Sequence, residues 1–252
     1  MSSLVNSKRL SPHRRVFLEP QLPHPRALIQ TPYSGPHVPL RFRYQTFELG
    51  DQDIHLRSLR DTQQFSDPSD EALALGISSA NWALFGIVWD SSQILARLML
   101  KYEIEGKRVL ELGCGMALSS LLINRRGGDI TATDYHPEAG AFLRANTLLN
   151  EDTEIPYFRA NWDEDESTHG RFGLIVGSDV LYEHDQLTPL ARFIDGHALP
   201  QCEVVVVDPG RKQQGQFSQR MLQHGFSQHR GSAEDISNLE KPFKGSILTY
   251  RR

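Results

Sequence analysis

The chain has 252 residues, of which 39% are hydrophobic and 23% charged, and its net charge is −4 at pH 7. This length allows one large α/β domain with an appendage, and the composition is typical of a soluble globular protein. The net charge gives no overall positive field for nucleic acid or an anionic membrane, and two cysteines are too few for a disulfide framework or a cysteine-rich zinc site. No apolar run approaches the roughly 18 residues that span a bilayer. We therefore expect no nucleic-acid partner, no membrane and no metal.

The first 75 residues are predicted to form an appendage ahead of the main domain. Residues 1–37 are rich in proline, histidine and arginine and show little periodicity, which predicts an extended arm. Apolar and polar residues alternate after the arm, and the turn at Leu49-Gly50-Asp51 predicts a β-hairpin over about 38–59. The segment Asp67-Pro68-Ser69-Asp70 then predicts the start of a short helix that ends at Gly76.

The start of the chain also bears on where the protein resides. The first fifteen residues carry four basic side chains and no acidic one, but they lack the apolar segment of a secretory signal. An organelle transit peptide, which is also rich in arginine and serine, is an alternative. We expect a disordered start and a cytoplasmic protein.

Strands and helices alternate from Arg108 onward, which predicts a parallel sheet covered by helices on both faces. A helix over about 90–102, with apolar residues at helical spacing, precedes this region. The predicted strands cover about 108–112, 130–133, 155–158, 174–178, 204–207, 226–230 and 246–251. The predicted helices between them cover about 117–126, 137–149, 185–197 and 214–223. Residues 76–252 are therefore predicted to form one α/β domain.

Four of the predicted strands end in an acidic residue, and these residues are Glu111, Asp134, Asp179 and Asp208. An open α/β sheet binds its ligand in the crevice outside the carboxyl ends of its strands. One such acid is usually a turn or cap residue, but four at successive strand ends are harder to explain in that way. The pattern predicts a binding crevice at this edge of the sheet.

A glycine-rich turn, Glu111-Leu-Gly-Cys-Gly115, follows the first strand of this domain. Its glycines permit a positive φ and close approach of a ligand to the backbone, as in a nucleotide-binding turn. The turn lacks the Gly-Lys-Ser/Thr of a P-loop, and Leu118 stands where an NAD-binding turn needs a small residue. The carboxylate of Glu111 would repel a pyrophosphate and favours a cationic ligand, whereas Asp134 suits ribose hydroxyls in either case.

These residues resemble the motifs of class I, seven-β-strand S-adenosylmethionine-dependent methyltransferases. A tryptophan ahead of the first motif and an Asp-x-x-Tyr after the fourth strand resemble the branch that includes protein-lysine methyltransferases. The resemblance covers about residues 80–210 and implies a Rossmann-like three-layer sandwich with a seven-stranded, mostly parallel sheet. The matching segments are Val88-Trp89, Glu111-Leu-Gly-Cys-Gly115, Ala132-Thr-Asp-Tyr-His-Pro137, Asn161-Trp162 and Gly177-Ser-Asp-Val-Leu-Tyr-Glu183.

The resemblance implies that S-adenosylmethionine is the cofactor and gives the first motifs their roles. Gly113 and Gly115 would let the backbone pass under the methionine part, with Glu111 near its ammonium group. Asp134 would bind the two ribose hydroxyls, and Tyr135 would lie along the ribose and adenine.

The remaining motif residues would bound the adenine and the acceptor. Asn161 and Trp162 would flank the adenine ring, and Trp89 would wall the cofactor from the N-terminal side. Asp179 would lie under the methyl donor, and Tyr182 would stand at the substrate entrance. These two residues are the predicted catalytic pair.

Three positions depart from the family pattern. Ala117 stands where relatives have a third glycine, which should fit only if the backbone there is helical. Asp90 follows Trp89 where many relatives have a proline, and Asn161 replaces the more usual aspartate at the adenine position.

The function implied is direct in-line transfer of a methyl group to a protein side chain, with lysine as the favoured acceptor. The alternatives are a small-molecule methyltransferase closed by the N-terminal hairpin and arm, and a binding module without activity, against which Asp179 and Tyr182 speak. An acidic loop over residues 163–166 would attract a basic segment of a protein substrate, although such loops are usually only solvated. Further polar residues near the strand ends are candidate substrate contacts: His136, His184, Asp208 and Arg211.

Overall fold

A computed structural model describes residues 39–164, 169–232 and 242–252 of the chain. Residues 38–252 form one compact unit. The arm predicted for residues 1–37, and residues 165–166 of the acidic loop, lie outside the described residues.

The predicted hairpin is present as β1 (Phe42–Leu49) and β2 (Gln52–Leu59), an antiparallel two-stranded sheet. Leu49 pairs with Gln52, and Gly50 between them has a φ of +66°, which a tight two-residue hairpin turn requires. The apolar residues on one face of β2 are fully buried and the residues between them face outward, as the alternation predicts.

A short helix and a 3₁₀ helix follow the hairpin. The predicted helix is α1 (Glu71–Ala74), and the Asp67 carboxylate accepts hydrogen bonds from the Ala72 and Leu73 amides in its first turn. The 3₁₀ helix, Trp82–Gly86, was not predicted, because its run of apolar residues is too short to show a helical period.

The main sheet confirms the predicted seven-stranded, mostly parallel architecture. Its strands are β3 (Arg108–Leu112), β4 (Asp129–Asp134), β5 (Tyr157–Arg159), β6 (Phe172–Ser178), β7 (Ala198–Asp208), β8 (Ser227–Ser232) and β9 (Ser246–Arg251). Their order across the sheet is β5-β4-β3-β6-β7-β9-β8, and only β8 and β9 run antiparallel to their neighbours.

Helices cover both faces of this sheet, which gives the three-layer sandwich. They are α2 (Asp90–Lys101), α3 (Leu118–Arg125), α4 (Ala139–Leu149), α5 (Leu187–His197) and α6 (Gln214–Gln223). Adjacent residues of β3 and β6 point to opposite faces, so Val109 and Leu174 belong to a core with α2, α3 and α4. Leu110 and Ile175 belong to a second core with α5 and α6. Strands buried on both faces are therefore apolar throughout.

One strand is longer than its sequence pattern predicts. β7 begins at Ala198 rather than near Val204, because Ala198 pairs with Phe172 across an irregularity in β6 and Cys202 exchanges backbone hydrogen bonds with Arg252. The first half of β7 contains a proline and polar residues, a pattern that does not predict a strand.

Among the described residues, one helical stretch, Trp82–Lys101, is long and apolar enough to cross a membrane by length and composition, and half of it is buried in the protein. It comprises the 3₁₀ helix and α2, and its Leu95 and Met99 side chains are fully buried in the core. This is the pattern of a core helix and only weak support for a membrane span.

Candidate functional site

The sheet order brings the four acidic strand ends to one edge. The strands β4, β3, β6 and β7 are parallel and adjacent, and Glu111, Asp134, Asp179 and Asp208 all lie at or just beyond their carboxyl ends. The predicted crevice therefore lies where the topology of an open α/β sheet places a ligand.

The glycine-rich turn between β3 and α3 leaves no room for side chains. Gly113 and Gly115 have φ values of +56° and +52°. A Cβ atom added at Gly113 would lie 3.1 Å from the Val180 side chain, and one at Gly115 would lie 3.0 Å from the backbone oxygen of Phe85. Both positions therefore require glycine, and the cofactor role of the turn stays a prediction.

The expectation of a helical backbone at Ala117 was wrong. Ala117 directly precedes α3 with a φ of 58° and a ψ of 35°, which is the left-handed region. An L-residue there costs roughly 1–2 kcal/mol because its Cβ approaches the following carbonyl. The turn therefore imposes a left-handed conformation on an alanine.

Glu111 is buried and binds α3. Its Oε2 atom accepts hydrogen bonds from the Ser120 amide, at 2.9 Å, and from the Ser120 hydroxyl. Burial is the main reason that the pKa of Glu111 is raised from 4.5 to about 7, and the Ser120 hydrogen bonds oppose this rise. Its carboxylate thus fixes the first turns of α3, and its proximity to the cofactor ammonium stays a prediction.

Asp134 organises the turns around it. Its Oδ2 accepts a hydrogen bond from the Gly115 amide at 2.7 Å, and its Oδ1 accepts one from the His136 amide at 2.8 Å. Burial raises the pKa of Asp134, while these backbone amides lower it. Each carboxylate oxygen retains a lone pair, so the side chain is suited to accept hydrogen bonds from two hydroxyls.

Tyr135 connects this edge to the N-terminal segment, whereas Trp89 makes its hydrogen bond within its own segment. The Tyr135 hydroxyl donates to the carbonyl of Leu75 at 2.8 Å, just past α1. The Trp89 indole donates to the carbonyl of Leu84 at 3.0 Å, and the ring is 42% exposed. Exposed aromatic surface here is available to a ligand, but the cofactor contact of each ring stays a prediction.

Asn161 and Trp162 lie after β5, beside Asp134. The amide of Ala160 donates to the Asp134 carbonyl at 3.0 Å, which fixes this segment next to β4. The Asn161 side chain accepts from the Asp163 amide at 3.2 Å and donates to Glu164 at 3.1 Å, so it also holds its own loop. The adenine role of both residues stays a prediction.

Asp179 forms an ion pair that the sequence did not predict. The Arg211 Nε and Nη2 atoms donate to its two carboxylate oxygens at 2.6 and 2.8 Å, and Asp179 itself has a φ of +55°. Arg211 follows β7, whereas Asp179 follows β6. Their distance in the sequence, 32 residues, left no signal for this pair.

Tyr182 lies among acidic groups in the loop after β6, and its place at the substrate entrance stays a prediction. Its side chain is 53% exposed. Partial burial of the hydroxyl, followed by the charges of Glu183, Asp134 and Asp179, raises the pKa of Tyr182 to about 12. The phenol is therefore protonated at neutral pH and can act as a hydrogen-bond donor.

Two other substrate-contact candidates are buried. His136 stacks on Phe85 with ring centroids 3.8 Å apart, and burial lowers its pKa to about 4, so it is a neutral core residue. Asp208 is fully buried and accepts hydrogen bonds from the Gly210 and Arg211 amides. Neither side chain reaches a substrate, whereas His184 is exposed beside Asp185.

An open cleft of about 540 Å³ lies beside Asp179 and is lined by Asp179 and the loop after β7, residues 209–213. The residues at this edge fit S-adenosylmethionine. The turn carries glycine at two positions, the acids at the strand ends suit a cationic group, and Asp134 retains lone pairs that can accept from ribose hydroxyls. Within the parts of the chain that the structure describes, no group of three or more His, Cys, Asp or Glu side chains is arranged to hold a metal ion.

Residues 70–224 match the family model described as lysine methyltransferase. The chain is 26% identical over 168 residues to EEF1A lysine methyltransferase 3 of Xenopus tropicalis, and the match covers 63% of this chain and 75% of that protein. It is 28% identical over 200 residues to the electron transfer flavoprotein beta subunit lysine methyltransferase of Xenopus laevis, covering 75% and 77% of the two chains. A solved methyltransferase from Pyrococcus furiosus has a similar fold, with a TM-score of 0.52 at 17% identity over 63% of this chain and 82% of that chain.

Proposed function

Because this chain belongs to the lysine methyltransferase family and uses S-adenosylmethionine as its methyl donor, we propose that it methylates a lysine side chain of a protein. The observation that carries the proposal is the position of Asp179 at an open cleft, with Tyr182 close enough for the Asp179 charge to act on its hydroxyl. A cleft open to solvent suits an acceptor carried on another macromolecule. A cytoplasmic location stays a prediction.

The donor supplies, when bound, a methyl group on a positively charged sulfur. The glycine turn would hold the methionine part at Gly113 and Gly115, and Asp134 would bind the ribose. Transfer then needs alignment and exclusion of water more than a strong base, since well-oriented reactants gain roughly 7–11 kcal/mol.

Tyr182 and Asp179 have different roles toward the acceptor amine. The pKa of Tyr182, about 12, keeps its hydroxyl protonated, so it orients the amine and shields it from water and does not remove its proton. Asp179 is held by Arg211 and acts as a positioning group. The lone pair of the neutral amine forms the new N–C bond, the electrons of the broken C–S bond stay on sulfur, and the product ammonium later loses a proton to water.

The proposal is tested by incubating the purified protein with radiolabelled S-adenosylmethionine and a heat-treated cell extract that retains its small molecules, then separating protein from small molecules and hydrolysing the labelled protein. We expect label in methyllysine. Tyr182→Phe should reduce incorporation at least tenfold, whereas Tyr44→Phe, which alters an exposed tyrosine of the hairpin, should not. Label confined to small molecules would indicate the small-molecule alternative, and donor binding without any transfer would indicate a binding module.

A further inference from the structure

The Asp179–Arg211 pair joins the loops that follow two neighbouring strands. Both oxygens of the carboxylate are bound by the guanidinium, at 2.6 and 2.8 Å, in the bidentate arrangement that is the strongest form of a charge-assisted hydrogen bond. The Asp179 side chain is 18% exposed and the Arg211 side chain 38% exposed. The pair is therefore partly shielded from water and faces the cleft.

The loop that carries Arg211 is fixed from below by Asp208. One oxygen of this buried carboxylate accepts hydrogen bonds from the Gly210 amide at 2.8 Å, from the Arg211 amide at 2.7 Å and from the Gln214 side chain. Gly210 has a φ of +105°, which favours glycine. Arg211 is thus held toward Asp179 by its backbone, and the pair is a built feature of the site.

The groups around Asp179 are mostly acidic. Tyr182, in the loop after β6, is close enough to Glu183, Asp134 and Asp179 for the charges of all three to act on its hydroxyl. From the loop after β7 come the buried Asp208 charge and the cation of Arg211, and Lys212 lines the same cleft. Listed by sign, the acids are Asp134, Asp179, Glu183 and Asp208, and the cations are Arg211 and Lys212.

An acidic acceptor site creates a difficulty for methyl transfer to lysine. A lysine ammonium close to an unpaired carboxylate is stabilised in its charged form, so its pKa rises, and the protonated nitrogen has no lone pair to react. A carboxylate that is already paired with a guanidinium exerts much less of this effect, because the pair has no net charge.

We propose that Arg211 is a positioning residue of the acceptor site that neutralises Asp179 and thereby allows the acceptor lysine to lose its proton near neutral pH. This inference rests on the proposed function. The amine proton goes to solvent before transfer, and the lone pair that remains forms the N–C bond as the C–S bond of the methyl donor breaks. Arg211 itself neither gives nor takes a proton.

The test is the pH dependence of methyl transfer by the full-length chain. The initial rate of label incorporation into heat-treated, dialysed extract protein is measured between about pH 6 and pH 10 for wild type and Arg211→Gln. We expect the acidic limb of the Arg211→Gln pH–rate profile to shift to higher pH by roughly one unit. The rate of this variant should then be about tenfold lower at neutral pH and should recover at alkaline pH. Arg211→Lys, which keeps a cation, should remain close to the wild-type profile.

Two further variants separate this role from a structural one. Arg220→Gln removes a guanidinium from α6 that binds Thr188, away from the cleft, and should leave the limb in place. The double variant Asp179→Asn with Arg211→Gln replaces the ion pair by a neutral pair, so its limb should return toward the wild-type position even if its rate is low. Donor binding, measured by calorimetry, should be similar in all variants that retain Asp179.

The outcomes are distinguishable. If wild type labels protein but Arg211→Gln and the double variant are slower by the same factor at every pH, the inference is overturned and the proposed function stands. If wild type labels no protein, the proposed function fails and the inference fails with it. A shifted limb for Arg211→Gln that the double variant reverses supports the inference.

Discussion

The side chain of Asn146 makes two hydrogen bonds with the backbone of Arg57, accepting from its amide at 2.8 Å and donating to its carbonyl at 3.2 Å. One turn later, Asn150 at the C-terminal end of α4 does the same with His55, at 2.9 and 2.6 Å. Residues 55 and 57 alternate along β2, so the two amides take the place of a neighbouring strand on the edge that β1 leaves free. This contact covers an edge strand and fixes the hairpin to the main domain.

Replacing Asn146 by alanine should therefore destabilise the protein. Two backbone groups of Arg57 lose their partner, which costs about 1–3 kcal/mol in unfolding free energy, partly offset by the better helix propensity of alanine. Urea denaturation followed by circular dichroism measures the loss. Asn81→Ala, at an exposed asparagine before the 3₁₀ helix, should change the unfolding free energy by less than about 0.5 kcal/mol. Equal stability of Asn146→Ala and wild type would show that the amide contact contributes nothing.

The contact also bears on domain organisation. A separation between residues 1–75 and 76–252 stays a prediction, and the hydrogen bonds between β2 and α4 connect its two sides. If the 76–252 segment is produced alone, it should expose the side chains on which the hairpin packs, among them Phe142, whose ring lies 5.9 Å from that of Phe42 in β1.

The left-handed backbone at Ala117 leads to a second prediction. Ala117→Gly relieves roughly 1–2 kcal/mol of steric strain in the folded state. It also costs about 0.5–1 kcal/mol because glycine loses more backbone entropy on folding, and it removes a buried methyl group, so the net change in unfolding free energy should be small. Ala96→Gly, at an equally buried position inside α2, relieves no strain and should lower the unfolding free energy by about 1–2 kcal/mol. Denaturation of the two variants side by side provides the comparison. Similar losses in both would contradict the left-handed geometry.

Much of the fold was predictable because its signals are local. The hairpin follows from strict alternation and a glycine turn, and the strands β3, β4 and β6 follow from short apolar runs that end in an acid or a polar residue. The glycine turn and the convergence of the acids at one edge follow from the parallel order of the sheet. These features need no knowledge of distant contacts.

The features that sequence reasoning missed depend on contacts between distant residues. Arg211 reaches Asp179 across 32 residues, and Asn146 reaches Arg57 across 89. An arginine after a strand and an asparagine on a helix are common in solvent-exposed positions, so neither residue type identifies its partner. The handedness at Ala117 was missed because the surrounding turn imposes a conformation that alanine alone disfavours.

The buried Glu111 should make stability depend on pH. Its pKa is about 7 in the folded protein against 4.5 for the free side chain, so the folded state binds the proton more tightly. The resulting stabilisation is fully present below pH 4.5 and is lost as the pH rises to about 7, on the order of 3 kcal/mol in total. Urea denaturation of wild type and Glu111→Gln at several pH values measures this contribution.

In Glu111→Gln the unfolding free energy should no longer fall with pH in this range, because glutamine does not titrate and can still accept a hydrogen bond from Ser120. Glu105→Gln, which removes a carboxylate from the surface, should keep the slope. A wild-type slope retained in Glu111→Gln would assign the pH dependence to other groups.

Cofactor binding depends most directly on Asp134, which joins the glycine turn to the end of β4. Asp134→Ala removes the acceptor for the Gly115 and His136 amides together with the predicted ribose contact, so binding of S-adenosylmethionine should weaken by far more than tenfold. Asp129→Ala, at the opposite end of the same strand, removes an exposed carboxylate paired with Arg108 and should leave binding unchanged. Isothermal titration calorimetry with S-adenosylmethionine and with its demethylated product compares the variants. Unchanged binding by Asp134→Ala, or binding of NAD by wild type in place of both sulfur compounds, would contradict the assignment of this edge as the cofactor site.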